Sequence, residues 1–424
     1  MPASLTPDLG DRDVLARLFA PAANQPAIGL AVSGGADSLA LMLLAHGWAS
    51  SLDRPPKLFV YSLDHGFRPE ARDEVAMVLD IAASLGIPAR GLAWVGEKPQ
   101  TGFQEAARQA RYRLIGDAMA ADGATLLLTA HHRADQAETV LMRLAHGSGI
   151  EGLKAMTARS TVEGVPMFRP LLDVEPSALA AIVDAAGLTP ARDPSNDDPA
   201  YERVRWRQLL PSLAAEGLDS AALARFATRM AEADAALAQV TDLAFAQMVT
   251  LDGFGAASLP RDTFAALSPA IGRRVFGRVL NIVGGRQKPR ALGQVERLYD
   301  QILGNDLLRA ATLLGAVTRL KDDHIVVSRE PGRALPSDAA LPPGSQLVWD
   351  QRFLITNTSN EIGLTAAAAD HLPRHRLEDV LGFKVTSPAE AIRTAPLVRD
   401  AEGGMLALGG WSFDERVKVE LLID

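Results

Sequence analysis

Six consecutive residues, Ser33-Gly34-Gly35-Ala36-Asp37-Ser38, combine groups that rarely meet without a chemical reason. Two adjacent glycines let the backbone turn sharply and approach a ligand with no Cβ in the way. Free N–H groups at a helix start, with the positive end of its dipole, suit an anion. The hydroxyls of Ser33 and Ser38 add neutral donors. Asp37 is out of place beside a bare phosphate, but it fits where Mg²⁺ bridges carboxylate and phosphate oxygens. The stretch therefore reads as a nucleotide-phosphate loop, against the plainer alternative of a capped Gly-Gly turn. Neither the lysine-bearing Gly-x-x-x-x-Gly-Lys-Ser/Thr loop nor the dinucleotide fingerprint Gly-x-Gly-x-x-Gly stands at this turn.

A second constellation is His131, His132, Asp135 and Glu138. Asp135 and Glu138 are three apart at a helix start, so both carboxylates can face one cleft. Zinc would want further nitrogen or sulfur ligands at short spacing. Hard-oxygen coordination of Mg²⁺ by Asp37 and Asp135 suits the residue types better. The carboxylates admit the alternative of complementing a helix dipole, and the histidines either a structural hydrogen bond or a contact to substrate. Glu105, Arg108 and Arg111 follow at steps of three. The stretch from Asp193 to Arg207 places acids and an amide before Arg203, Arg205 and Arg207, a set able to hold a charged substrate with phosphate.

The elements that must position these groups are legible from periodicity. Ile28 to Val32 is a short apolar run bounded by turn residues, a buried parallel strand, and Leu39, Met42 and Leu43 begin a helix. Lys57 to Asp64, Ala89 to Val95 and Leu126 to Thr129 are further strands, with helices over 72–85, 103–121 and 134–146. Strands alternating with helices of this length predict an α/β fold, a doubly wound parallel sheet with ligands at its carboxyl edge. Gly147-Ser148-Gly149-Ile150-Glu151-Gly152 reads as a flexible lid or substrate loop.

Composition narrows the classes. At 424 residues, two or three domains are expected. A hydrophobic share of 48% with 22% charged residues describes a globular chain. No apolar stretch approaches a membrane span, and the N-terminus lacks a basic region followed by an apolar core, so a cytoplasmic location is expected. With no cysteine, thiolate metal sites, iron–sulfur clusters and cysteine nucleophiles are excluded. A net charge of −8 argues against a protein coated with cations, yet leaves room for a local basic face.

Strand, Ser-Gly-Gly-Ala-Asp-Ser and helix together resemble the loop of the N-type ATP pyrophosphatases, the PP-loop family, which split ATP between its α and β phosphates. Further matches appear in order: Leu63-Asp64-His65-Gly66-x-Arg68, Glu105-x-x-Arg108-x-x-Arg111-Tyr112, Thr129 to Thr139, Gly147-Ser148-Gly149-x-x-Gly152-Leu153-x-x-Met156, Arg169-Pro170-Leu171 and Asp193 to Arg207. This ordered set resembles the tRNA(Ile)-lysidine synthetase family across about residues 28 to 210. The resemblance implies a ligase joining lysine to C2 of the wobble cytidine of tRNA(Ile) with a CAU anticodon, through an adenylated cytidine. It implies ATP and Mg²⁺, with the loop Ser33–Ser38 on the nucleotide and Asp37, Asp135, Glu138, Arg111 and Arg203 in catalysis, Asp135 or Glu138 serving the lysine amine. Two positions depart from the family pattern: Ala134, where a second acid is usual, and Val204, where asparagine is usual. The rival reading is another PP-loop adenylating enzyme, either a tRNA thiolase or a GMP/NAD-synthetase-like amide ligase. The missing cysteines weigh against the first and the trailing domains against the second.

Beyond residue 212 the character changes. The expected organisation is a catalytic domain over 1–212, a mostly helical tRNA-contacting domain over 213–331, a linker over 332–345 and a small β-rich domain over 346–424. Leu223, Phe226, Met230, Leu237 and Val240 predict a long helix. Arg273, Arg274, Arg278, Arg286, Lys288, Arg290 and Arg297 form a basic stretch suited to a phosphate backbone. Residues 317–328 read as a hairpin, and Arg352, Arg374, Arg376 and Arg393 as further cations for an RNA stem. Whether the chain acts as a homodimer is left open by its sequence.

Overall fold

A computed structural model describes residues 8–64, 66, 70–95, 103–192, 197–285, 292–304, 310–332 and 334–423, with the side chains of 103–105 excepted. His65, Phe67, Arg68, the side chain of Glu105, Asp193–Asn196 and the basic residues Arg286, Lys288 and Arg290 lie outside this description. The chain divides into two compact units, Met1–Asp234 and Ala235–Asp424.

The first unit opens with α1 (Arg12–Phe19), then β1 (Ala27–Ala31), α2 (Ala36–Ser50), β2 (Lys57–Asp64), α3 (Glu70–Ser84), β3 (Ala89–Ala93) and α4 (Phe103–Asp122). There follow β4 (Leu126–Leu128), α5 (Arg133–Ala145), α6 (Ile150–Leu153), β5 (Arg159–Val162), β6 (Val165–Phe168), α7 (Pro176–Ala185) and α8 (Glu202–Ala215). A long helix, α9 (Ser220–Met248), starts in this unit. The six strands are ordered β3-β2-β1-β4-β6-β5, and all pair in parallel except β5 with β6. This is the doubly wound sheet that the periodicity predicts. The hairpin β5–β6 was not read from the sequence: its strands have four residues each, and Pro166 and the exposed positions of β5 blur the alternation.

Both faces of the sheet are covered, which is why β1 and β4 are almost uninterruptedly apolar. On one side Ile28, Leu30 and Leu128 pack with Leu39, Met42 and Trp48 of α2 and Leu179 and Val183 of α7, and Trp48 stacks on Phe19 at 5.0 Å. On the other, Tyr61 and Leu127 pack with Tyr112, Ile115 and Met119 of α4. Gly29 is required there: a Cβ would stand 2.6 Å from the Tyr61 ring. Chain direction away from β1 reverses between β2 and β4, so the carboxyl ends of β1 and β4 flank a topological switch point. The phosphate loop follows β1 and the His-His-Asp-Glu segment follows β4. The fold thereby brings together two stretches about a hundred residues apart.

The long helix predicted from Leu223 to Val240 is α9. Gly217, at φ +91°, ends α8, with its N–H and that of Leu218 closing onto Ala214 and Leu213. The second unit carries β7 (Thr250–Leu251), β8 (Ala257–Pro260), α10 (Arg261–Ala265), α11 (Pro269–Gly284), α12 (Leu292–Leu303), β9 (Ala311–Leu313), β10 (Ala316–Lys321) and β11 (His324–Arg329). The helices pack through Val275, Phe276, Val279 and Tyr299 onto an antiparallel sheet ordered β7-β8-β11-β10-β9. The hairpin read from residues 317–328 is β10–β11. Two further sheets follow, one of five strands and one of three. The five-stranded sheet begins with β12 (Ala339–Leu341), inside the segment read as linker, and the three-stranded one holds β13 (Gln346–Trp349) and β14 (Phe353–Asn357).

Arg352 overturns one expectation. It is wholly buried, donating to Asp350 at 3.0 Å and to the carbonyl and hydroxyl of Thr394 at 3.2 and 2.9 Å. Its side chain is a core cross-brace and presents nothing to an RNA stem. The basic stretch is likewise partly spoken for. Arg273 pairs with Asp300, and Arg278 donates to Asp242 at 2.7 Å while lying over the Phe245 ring.

Candidate functional site

A cleft of about 860 Å³ opens at the carboxyl edge of the sheet, within the range of small-molecule sites. Its lining includes Ser33, Gly35, Asp37 and Ser38 of the loop, Arg108 and Arg111 of α4, Thr129 to Glu138 in part, and Arg203 and Arg207 of α8. Of the site residues expected from sequence, Ser33, Gly35, Asp37, Ser38, Arg111, Asp135, Glu138 and Arg203 thus border one space. Gly34 and Ala36 belong to the same loop.

The loop is locked from within. Ser38 Oγ accepts the Ser33 N–H at 3.1 Å and donates to the Gly35 carbonyl at 2.9 Å. Gly34 adopts φ +89°, a conformation costly to any residue with a Cβ, and its carbonyl accepts from Ala191 at 2.9 Å. Gly35 caps α2 with no side-chain partner for the first helical N–H groups. Those donors are what an anion would satisfy. Asp37, in the first turn of α2, keeps 43% of its side chain exposed.

Opposite the loop, His132 caps α5 in a reciprocal box. Its ring Nδ1 accepts from the Asp135 N–H at 3.4 Å, and Asp135 Oδ2 accepts the His132 N–H at 2.9 Å. Asp135 Oδ1 accepts from Arg203 Nη2 at 2.8 Å. Burial resists charge on Asp135, but His132, Arg203 and the His132 N–H outweigh it and hold its pKa below the usual carboxylate range. Burial also opposes protonation of His132, yet Asp37, Asp135 and Glu138 together raise its pKa. His131 differs. Burial, reinforced by Arg169, Arg203 and Arg108 against Asp135, lowers its pKa to about 4, and its Nδ1 lies 2.9 Å from the Thr129 hydroxyl.

Glu138 has no solvent exposure, with Arg203 Nε at 2.5 Å and Arg207 Nε at 2.7 Å from its two oxygens. As candidate metal holders, Asp37 offers an open carboxylate and Asp135 hard oxygens that already accept one bond each. Mg²⁺ takes one or two carboxylates plus phosphate oxygens and keeps water, so the donor chemistry of the two fits it. The departures from the family pattern separate cleanly. Ala134 lines the cleft, whereas Val204 is buried away from it.

Residues 147–152, read as a flexible lid or substrate loop, run into α6 (Ile150–Leu153), and the turn after it is braced. Arg143 Nη1 donates to the carbonyls of Gly152 and Ala155 at 2.7 and 2.9 Å, and Gln136 exchanges two 2.8 Å bonds with the Met156 backbone. Lys154 donates to Asp234 at 2.6 Å. Sequence reasoning missed Arg169 as a brace, donating to the Thr157 carbonyl and Ser160 hydroxyl; of the two roles held open for the histidines, His132 makes the structural hydrogen bond. The Arg108–Arg111 spacing did signal its cleft face.

A family model described as a PP-loop domain matches residues 10–213. A tRNA(Ile)-lysidine synthase of Rhodopseudomonas palustris is 46% identical over 327 residues, covering 75% of this chain and 94% of that protein. One of Bradyrhizobium diazoefficiens is 43% identical over 343 residues, with 76% and 95% covered. Among solved structures, a U34-tRNA thiolase from Methanococcus maripaludis matches with a TM-score of 0.45 at 14% identity, over 52% of this chain and 78% of its own. These lysidine synthases match over more than nine-tenths of their own length, and the chain belongs to the tRNA(Ile)-lysidine synthase family.

Proposed function

We propose that the chain joins the ε-amine of lysine to C2 of the wobble cytidine of tRNA(Ile) with a CAU anticodon. In the first step O2 of the cytidine attacks the α phosphate of ATP, forming an adenylated base and releasing pyrophosphate. In the second, the lysine amine bonds to C2 and AMP leaves with the C2–O2 bond broken. The observation that carries this reading is a cleft in which a phosphate loop faces acids and a cationic wall.

The residues divide the labour. The loop Ser33–Ser38 holds the triphosphate through backbone N–H groups and the Ser33 hydroxyl, while the Ser38 hydroxyl fixes the loop from within. Asp37 and Asp135 hold Mg²⁺, which neutralises phosphate charge when bound. Arg111 and Arg203 meet the charge that develops at the transferring phosphorus. Asp135, which lines the cleft, is the acid placed to orient the lysine ammonium. Glu138 acts by holding Arg203 and Arg207 in place, since it meets both guanidiniums and none of it reaches solvent.

The test is release of pyrophosphate and AMP with tRNA(Ile) transcript, ATP and lysine, each omitted in turn. Pyrophosphate should need tRNA and ATP alone, and AMP should need lysine as well. AMP transfer to a small carboxylic acid without tRNA would reverse the reading.

A further inference from the structure

The two acids assigned to the metal stand at the heads of different helices, Asp37 on α2 and Asp135 on α5. Nothing within either helix sets the spacing between them. One buried side chain touches both. His132 accepts the Asp135 N–H on Nδ1, which places its proton on Nε2, and Nε2 lies 3.5 Å from Asp37 Oδ2. The backbone N–H of the same residue donates to Asp135 Oδ2. A cap alone would need only the first and last of these contacts.

We propose that His132 is a positioning residue for the metal–triphosphate complex, a strut that spaces Asp37 from Asp135 across the switch point. This rests on the reading of those two acids as metal holders. Partners of this kind orient ligating carboxylates, and their removal lowers metal affinity about 10–100-fold.

Two substitutions separate strut from cap. In His132→Asn the amide falls near the Nδ1 position, so the cap survives and the reach to Asp37 is lost. In His132→Gln the amide falls near Nε2, so the reach survives and the cap is compromised. Mn²⁺ binding is measured by electron paramagnetic resonance with a non-hydrolysable ATP analogue, beside Tm and tRNA affinity. The expected result is that His132→Asn weakens Mn²⁺ binding about 10–100-fold with Tm and tRNA affinity held, and His132→Gln restores most of it. Wild-type Mn²⁺ binding in His132→Asn, while Asp37→Asn weakens it, overturns the strut and spares the metal reading. Unchanged binding in Asp37→Asn as well overturns the metal reading and the strut with it. Equal losses of binding and Tm in both His132 variants overturn the strut in favour of a purely structural role.

Discussion

Arg203 Nε meets Glu138 Oε2 at 2.5 Å, and the carboxylate it meets is sealed from solvent. A buried carboxylate between two guanidiniums is an anchor: losing its charge releases Arg203 and Arg207, which are themselves 39% and 46% exposed and regain water. Glu138→Gln should therefore cost modest stability, about 1–2 kcal/mol, and lower kcat much more, about 10²-fold or beyond. Melting curves and pyrophosphate release on the same preparation check this. A large fall in Tm with kcat intact would make Glu138 a fold residue only.

Asp37 differs in being open. Removing it takes a partner only from His132, which borders the cleft, so Asp37→Ala should keep the fold and lose adenylation, with tRNA affinity nearly unchanged. Filter binding of tRNA(Ile) beside single-turnover adenylation reads both. A matching collapse in RNA affinity would place Asp37 in the RNA contact.

His131 supplies a pH signature. Its folded-state pKa of about 4 lies below the roughly 6.5 expected of an unfolded histidine. The unfolded chain then takes up the proton first as the solution is acidified. The contribution of His131 to stability is complete above pH ~6.5 and falls away between there and pH ~4. In His131→Gln the denaturation midpoint should decline less steeply across that window than in the parent. Parallel curves would show that the imidazole is not held neutral.

Arg352 tests the second unit. Its guanidinium fills a fully buried place between Asp350 and Thr394; in Arg352→Ala, Asp350 keeps Arg329 and the Thr394 carbonyl keeps Trp349 Nε1, so what is lost is core packing and the bonds of Arg352 itself. The expected loss is that of a large-to-small change in a core, about 2–5 kcal/mol, read by chemical denaturation. The salt slope of tRNA binding, taken where the variant is still folded, should not change, because the side chain reaches no phosphate. A slope lowered by about one would return Arg352 to the interface.

Local chemistry carried much of the catalytic unit into the sequence. The apolar run before Ser33, the paired glycines and the three-residue step from Asp135 to Glu138 each follow from neighbours a few residues away. Periodicity over such windows is enough to set strand, turn and helix. The short β5–β6 hairpin escaped, since a four-residue strand leaves too little pattern.

What the sequence by itself determined is the kind of chemistry: a phosphate loop, hard acids, arginines and no thiol. The tertiary structure alone decided which of those groups stay available. Asp37 is open, Glu138 is spent on two arginines, His132 spans two helix heads, and Arg352 is walled in rather than offered to RNA. Burial and pairing depend on partners tens of residues or more away along the chain, and no local pattern of residue types encodes which carboxylate will find its cation first.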